Sequence, residues 1–382
     1  MLDMSHREVL QPTEEFPKDS KASRQVGITC LDDRAWDALV DGTPTRDVYF
    51  RPGYVRAYET AGHGKGIGLL ISIGGHRFLM TLLLRTLSEL PFGEGLTGFD
   101  AVTPYGFGGL LHLSGDAEVS HETMRMLFDA LRGWCADAGV VSVMIRLHPL
   151  LEQEGWFNAD IDGVTLRTVG PTVALDLQQW DPAKERLTTL HRGRHFDLNH
   201  ARRYLNLTWA SEQPGDPDVL RLFRSIYEER MGQLQADQFY YFPPEYYTEL
   251  MSGVKGDIDI AFAWMDKTLV GAEMFMAGRE IGHAHLCGTN ELGRVHKATT
   301  LLKTAGADWA RRRGCRWLHI GGGTHGADHL LTFKKSFGGT LFHYSFVTFV
   351  ADSARYQELT SMRLSAENLP APRSGFFPEY RA

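Results

Sequence analysis

Cysteine is scarce in this 382-residue chain: there are four, Cys30, Cys135, Cys287 and Cys315, far apart and without a CxxC pair. That spacing excludes a disulfide framework and a zinc ribbon, and predicts reduced, mostly buried thiols. Long apolar runs are missing as well. None approaches the roughly 18 residues that a membrane helix needs. The opening stretch MLDMSHREVLQPTEEFPKDS lacks the apolar centre of a secretory signal. A cytoplasmic protein with no membrane partner is expected. Basic residues give no surplus: 40 Lys and Arg stand against 47 Asp and Glu, for a net charge of -7. A surface that coats nucleic acid all over is thereby excluded, and DNA is not an expected partner. The chain also has no GxxxxGK(S/T), HExxH or GxSxG, and the glycines at 321–323 lack the GxGxxG spacing, so phosphate-loop chemistry there, zinc-protease and serine-hydrolase chemistry fall away. No cofactor and no metal are expected.

What is present is ordinary globular material, 43% hydrophobic and 23% charged, with a length that suits two domains. Residues 1–25 are rich in Glu, Lys, Ser and Pro without hydrophobic periodicity, and read as a flexible tail. Beyond them lies a weak internal repeat. In SHETMRMLFDALRGWCADAGVVSVMIRLHP, Ser120 is placed as an N-cap and Glu122 in the first turn. Met124, Leu127, Phe128, Leu131, Trp134 and Cys135 then recur at helical spacing, Gly139 ends the helix, and 140–147 reads as a strand. In KATTLLKTAGADWARRRGCRWLHIGGG the same pattern runs through Ala298, Leu301, Leu302, Ala305, Trp309 and Ala310 to Gly314, with a strand at 315–320. Hairpins at 67–73/77–84 and 258–265/268–276, turning at Gly74-Gly75 and Asp266-Lys267, precede the two helices. The predicted fold is α/β, with two similar domains side by side.

Several short segments carry the functional signal: PYGFGG (104–109), RLHPLL (146–151), GPTVALDL (170–177), YYFPPEYY (240–247), LHIGGG (318–323) and FKKSFGG (333–339). Gly321, Gly322 and Gly323 leave a backbone that a ligand can approach closely, although a turn or bulge explains them equally well. Lys334 and Lys335 sit between Phe333 and Phe337; if the segment alternates as a strand, one lysine faces a cleft and the other solvent. A lysine at a cleft can stabilise an oxyanion without transferring a proton.

In their order and combination these segments resemble the Fem family of aminoacyl-tRNA-dependent transferases, relatives of the GNAT acetyltransferases, over residues of about 45 to 350. The resemblance implies two tandem GNAT-like domains, each a mixed, mostly antiparallel sheet flanked by helices, with a cleft between them. It implies a first domain at 26–169, completed by 345–382 folding back, and a catalytic second domain at 170–344. It further implies acyl transfer to an amine, with Phe333 and Lys334 matching a catalytic Phe-Lys pair.

Two donors compete. In CoA-dependent GNAT enzymes a turn of the form R/Q-x-x-G-x-G/A holds the pyrophosphate, as backbone N–H groups at a helix N-terminus should. Here that turn is RVHKAT (294–299), with Arg294 but without the glycines. Basic residues cluster around it, and Arg294, Lys297, Arg311, Arg312, Arg313 and Lys335 form the expected donor set for aminoacyl-tRNA. Arg311–Arg313 are equally explained as complements to a helix C-terminus. An acyl-CoA N-acyltransferase and a non-catalytic RNA- or ligand-binding protein are the alternatives. For the acceptor, the resemblance places cations against the phosphates of a UDP-linked muropeptide, but Tyr58 and Phe242 stand at those places. Without charge-assisted contacts a diphosphate is disfavoured. A smaller amine is expected, lined by Tyr58, Tyr105, Tyr241, Phe242, Tyr246 and His285. The i, i+4 pairs His191/His195 and His325/His329 lack a carboxylate partner and are set aside as metal ligands.

Overall fold

A computed structural model describes residues 26–114, 118–157, 161–216, 218–254, 256–323, 329–372 and 375–382; the expected tail at 1–25 and His325 lie outside them. The first half runs β1 (Val26–Cys30), α1 (Asp33–Asp41), α2 (Pro52–Thr60), β2 (Lys65–Ile73), β3 (His76–Thr86), β4 (Phe99–Val102), β5 (Leu110–His112), α3 (His121–Ala138) and β6 (Val140–Arg146). Gly74 and Gly75 both have positive φ, 54° and 91°, as a two-residue hairpin turn between twisted strands requires. Ser120 Oγ accepts from the Thr123 N–H at 3.1 Å, and Gly139, at φ 67°, ends α3 in the left-handed conformation. The apolar stripe of α3 is buried against Val143 and Ile145 of β6.

The second half follows as β7 (Val164–Asp176), a two-residue ribbon of β8 (Trp180–Asp181) and β9 (Arg186–Leu187), α4 (Arg192–Tyr204), β10 (Asn206–Trp209), α5 (Asp218–Gln233) and α6 (Pro244–Gly253). Then come β11 (Ile258–Met265), β12 (Thr268–Ala277), β13 (Ile281–Thr289), α7 (Glu291–Val295), α8 (Ala298–Arg312), β14 (Trp317–Gly322), α9 (His329–Lys335), β15 (Thr340–Val350) and α10 (Ser353–Ala366). The repeat is therefore topological: β2-β3-β4-α3-β6 is answered by β11-β12-β13-α8-β14. In each copy the strand before the helix pairs in parallel with the strand after it, β4 with β6 and β13 with β14.

The two copies share one sheet among the described residues, in the order β1-β2-β3-β4-β6-β15-β7-β14-β13-β12-β11-β10, with β5 on β3. The long antiparallel pair β7/β15 is the seam, so residues 169 and 170 lie within a single strand. From Ser353 the chain packs on the first half, where Tyr380 meets Ser142 at 2.8 Å. Helices bridge the seam too. A Cβ on Gly53 of α2 would fall 2.2 Å from the Gly253 carbonyl oxygen of α6. Only two glycines allow these helices to touch, and the contact brings Tyr58 and Tyr246 together.

Two expectations are corrected. The segment 333–339 is not an alternating strand: α9 runs through Lys335 and the chain turns at Gly338, φ 76°. Helical rotation, not strand alternation, still turns Lys334 inward and Lys335 to solvent. Among the cysteines Cys135 and Cys315 are buried, but Cys30 is exposed on an edge strand.

Candidate active site

Strands β13 and β14 pair only at Ile281↔Trp317, Gly282↔Leu318 and His283↔His319, and then separate. Facing β12, β13 carries an extra residue between Ala284 and Cys287, a bulge that bends it away from its neighbour. The result is an opening between adjacent strands, edged by the backbone of Gly321 and Gly322. Lys334 closes one side. Its Nζ donates to the Gly322 carbonyl at 2.7 Å and lies 3.0 Å from where a Gly321 Cβ would stand. Gly321 adopts φ 75°, a conformation glycine takes without strain. Gly323 follows the strand and is exposed. Phe333 packs on Phe337 with ring centroids 5.3 Å apart, under the Arg194 guanidinium at 4.9 Å.

An aromatic wall from both halves faces this region. The Tyr246 hydroxyl lies 3.2 Å from that of Tyr58 and 2.9 Å from His285 Nε2, and Phe242 stacks on Tyr246 at 4.1 Å. Burial pushes the Tyr58 phenol up to about 12 and the His285 imidazole down to about 3, so both are neutral near pH 7. Tyr105 belongs to the same wall, meeting Phe239 at 5.5 Å and Tyr240 at 5.9 Å. Tyr241 does not join it: its hydroxyl is 4.0 Å from the Cβ position of Gly232 on α5. Phe239 and Tyr240 take its place, and Tyr54, whose hydroxyl donates to the Tyr105 carbonyl at 2.5 Å, is a further member that the sequence reading missed.

A second group, also missed, spans the halves at the point where β13 and β14 part. Asp47 and His148 come from the first half and His283 from the second, all buried, with ligand atoms within 4.8 Å of one another. Such a set could hold a metal, but its hydrogen bonds place protons where a metal needs lone pairs. His148 Nδ1 accepts from the Leu150 N–H at 3.1 Å, so the ring proton sits on Nε2, 3.6 Å from Asp47 Oδ2. The Asp47 carboxyl is held below the usual carboxylate range: burial opposes this, but the two histidines outweigh it. As a carboxylate it accepts from His283 Nε2 at 2.8 Å, which leaves His283 Nδ1 as a buried nitrogen with no partner. His319 is stacked edge-on to His283 at 5.7 Å and kept neutral by burial.

The expected donor residues fall into two groups. Lys297 stands at the N-terminus of α8, at the place of the first glycine of the CoA turn, with φ 64°, in the left-handed region that favours glycine. Arg294, nearby, donates to Gln233 at 2.7 Å, while Lys335 is exposed at the end of α9. Arg311 and Arg312 are at the opposite end of a 15-residue helix, both paired with Asp308 at 2.8 and 3.1 Å, and Arg313 lies over Trp309 at 4.1 Å. Beside the α8 N-terminus, α4 presents Phe196, His200 and Tyr204 at i, i+4 spacing. Phe196 is 62% and Tyr204 52% exposed, and His200 stacks on His296 at 5.3 Å. Arg192 lies 5.7 Å over Phe196.

Comparison with known proteins fits this geometry. Residues 186–335 match the family model described as Acetyltransferase (GNAT) domain. No curated protein sequence matches the chain. Among solved structures, FemX is similar at TM-score 0.64 and 11% identity, covering 87% of this chain and 99% of its own. A domain from Agrobacterium fabrum, described as the C-terminal domain of a lysylphosphatidylglycerol synthetase, is similar at TM-score 0.54 and 13% identity, covering 85% and 94%. L-PGS from Bacillus licheniformis is similar at 0.53 and 12%, covering 87% and 96%. With the repeated β-β-β-α-β units on one sheet and a GNAT acetyltransferase domain matched over residues 186–335, the chain has a tandem GNAT-like fold of the kind seen in these solved structures.

Proposed function

We propose that the protein forms an amide bond by moving an amino acid from aminoacyl-tRNA to the amine of a small acceptor, in the opening between β13 and β14. The observation that carries this reading is the meeting of Lys334 with the Gly321-Gly322 backbone at the parting of two parallel strands, opposite an aromatic wall. The acceptor nitrogen adds to the ester carbonyl, giving a tetrahedral oxyanion. Its collapse breaks the bond to the tRNA 3′ oxygen, which takes up a proton as the amine loses one. Lys334 stabilises the oxyanion, and the ester is already activated, so positioning supplies much of the remaining rate. His283, oriented by Asp47, offers a nitrogen lone pair near this opening for the amine proton. Tyr58, Tyr105, Phe242, Tyr246 and His285 line the acceptor side.

The tRNA reading of the donor rests on α4 and the start of α8. Exposed rings at Phe196 and Tyr204, the half-buried His200 between them, and the exposed cations Arg192, Arg294, Lys297 and Lys335 suit a single strand: stacked bases and a neutralised backbone. It implies work in the cytoplasm, where charged tRNA is made. The acyl-CoA reading is favoured by the acetyltransferase domain match and by the glycine-like backbone of Lys297. Titrating salt against bulk aminoacyl-tRNA, with excess CoA as competitor, separates them. Steeply salt-dependent binding that CoA leaves intact is expected. Binding of CoA with none of tRNA makes the enzyme an acyl-CoA transferase.

A further inference from the structure

The acceptor wall contains a cation that the function has not used. Arg146 ends β6 and is paired with Phe346 of β15, the strand next to it at the seam. Its guanidinium lies over the ring of Tyr105 at 5.3 Å and that of Phe346 at 5.0 Å. Nη1 donates to the Gly106 carbonyl at 3.3 Å, a long bond, and Nε is buried without a partner. No carboxylate among the described residues pairs with it, whereas other arginines of the first half, Arg51, Arg56 and Arg85, each have one or more. The charge reaches the acceptor side: it favours ionisation of the Tyr49, Tyr58 and Tyr105 phenols, although burial still keeps all three protonated.

A guanidinium set over two aromatic rings and bonded to one carbonyl keeps most of its N–H donors, and its fork matches the two oxygens of a carboxylate. We propose that Arg146 anchors a carboxylate of the acceptor, which is then an amino acid or short peptide with a free C-terminus. The proposal rests on the amine-acceptor reading above and gives that acceptor its class. A diphosphate would call for several cations, and the neighbouring positions hold Tyr58 and Phe242, which meet each other at 5.9 Å. One fixed fork suits one planar anion. The path from Arg146 to the transfer opening is apolar: Phe346 touches Tyr344 at 5.7 Å, Tyr344 touches Phe107 at 5.2 Å, and Phe107 reaches His319 at 5.0 Å. An acceptor lying along it keeps its amine at the opening and its carboxylate at Arg146.

The test needs no donor. The full chain is equilibrated with a library of di- and tripeptides and with the same library amidated at the C-terminus, and retained peptides are weighed by native mass spectrometry. Free acids are expected to be retained about tenfold better than amides, the scale of one charge-assisted contact. Arg146→Gln should abolish the preference and Arg146→Lys should reduce it several-fold. Equal retention of acids and amides, no retention of either at millimolar peptide, or a preference unchanged in Arg146→Gln overturns the proposal. If Arg146→Gln fails to fold, an unchanged preference in Arg146→Lys overturns it as well. Added inorganic pyrophosphate distinguishes the anion: displacement of free acids by pyrophosphate at far lower concentration than by acetate assigns Arg146 to phosphate and overturns the carboxylate class. Because tRNA is absent from the assay, a failed donor reading leaves this result standing, and the reverse is also true.

Discussion

The two copies of the repeat have one topology and unlike chemistry. In the first, α3 opens with Ser120 and Glu122, so the helix N-terminus is already satisfied by a hydroxyl and a carboxylate. In the second, α8 opens with Lys297 in a left-handed conformation and no side-chain cap, which leaves its N–H groups and a cation for a ligand. The same divergence runs through the interior. Between β3 and α3 lie Met80, Leu82, Phe128 and Leu131, all apolar. Between β12 and α8 lies a buried pair, Lys303 Nζ on Glu273, close enough to Lys334 for its charge to be felt at Glu273. A duplicated unit needs only one reactive copy, and the other is free to become a wall that carries Tyr58, Tyr105 and Arg146.

The largest effect that would sharpen this contrast is expected at Lys334. Lys334→Ala should lower the rate of amide formation by about 10²–10³-fold, the scale of one lost oxyanion donor, with thermal unfolding little changed. Glu122→Ala, at the matching end of the silent copy, should leave the rate unaltered. The check is single-turnover transfer from bulk aminoacyl-tRNA, with product followed by mass spectrometry. A mutant that retains the wild-type rate removes Lys334 from catalysis.

Much of the contrast could be read from sequence, and what could not has a physical reason. Both hairpins, both amphipathic helices and the glycines ending them stand out because each is a local pattern with a local cause. The segment 333–339 was ambiguous because seven residues are too few to separate a period of 2 from one of 3.6. The reading of Tyr241 slipped by one position, since adjacent aromatics in YYFPPEYY give no clue to which rings turn inward. The Asp47–His283 contact joins residues 236 positions apart and has no spacing signal; nothing local marks either residue. Arg146 was in view as part of RLHPLL, but that no carboxylate among the described residues pairs with it is a fact of the fold alone.

A smaller effect separates the seam from the outer surface. His148, His285 and His319 are neutral in the folded state because burial lowers each pKa, His285 to about 3. In the unfolded chain each titrates near 6.5. Below that pH the unfolded state binds more protons than the folded one, so stability is complete above about 6.5 and falls as pH drops toward the folded values. The carboxylate of Asp47, whose folded pKa is depressed, adds a further loss only below about 4. The melting temperature should thus decline from about pH 6.5, earlier than carboxylate titration alone would cause. His285→Gln should flatten that slope by about one proton, whereas His121→Gln, on the surface at the start of α3, should not. Equal slopes in the two variants would dissolve the distinction.

The smallest effect concerns the two ends of α8. Arg311 and Arg312 share Asp308, and Arg313 is spread over the Trp309 ring, so their charge is already answered within the protein. Lys297 and Lys335, at the other end of the second copy, are exposed and enter no ion pair among the described residues. If the donor strand lies along α4 and the start of α8, Lys297→Ala and Lys335→Ala should each reduce the slope of log affinity against log salt by about one. Arg311→Ala and Arg312→Ala should change it by less than half of that. For Lys297→Ala, a change at the exposed start of α8, transfer at saturating donor should be unchanged and only the donor concentration needed should rise. An equal or larger loss of slope at Arg311 would move the RNA to the far end of α8. The donor's reactive end would then have to span the length of the helix, about 22 Å, to reach the opening.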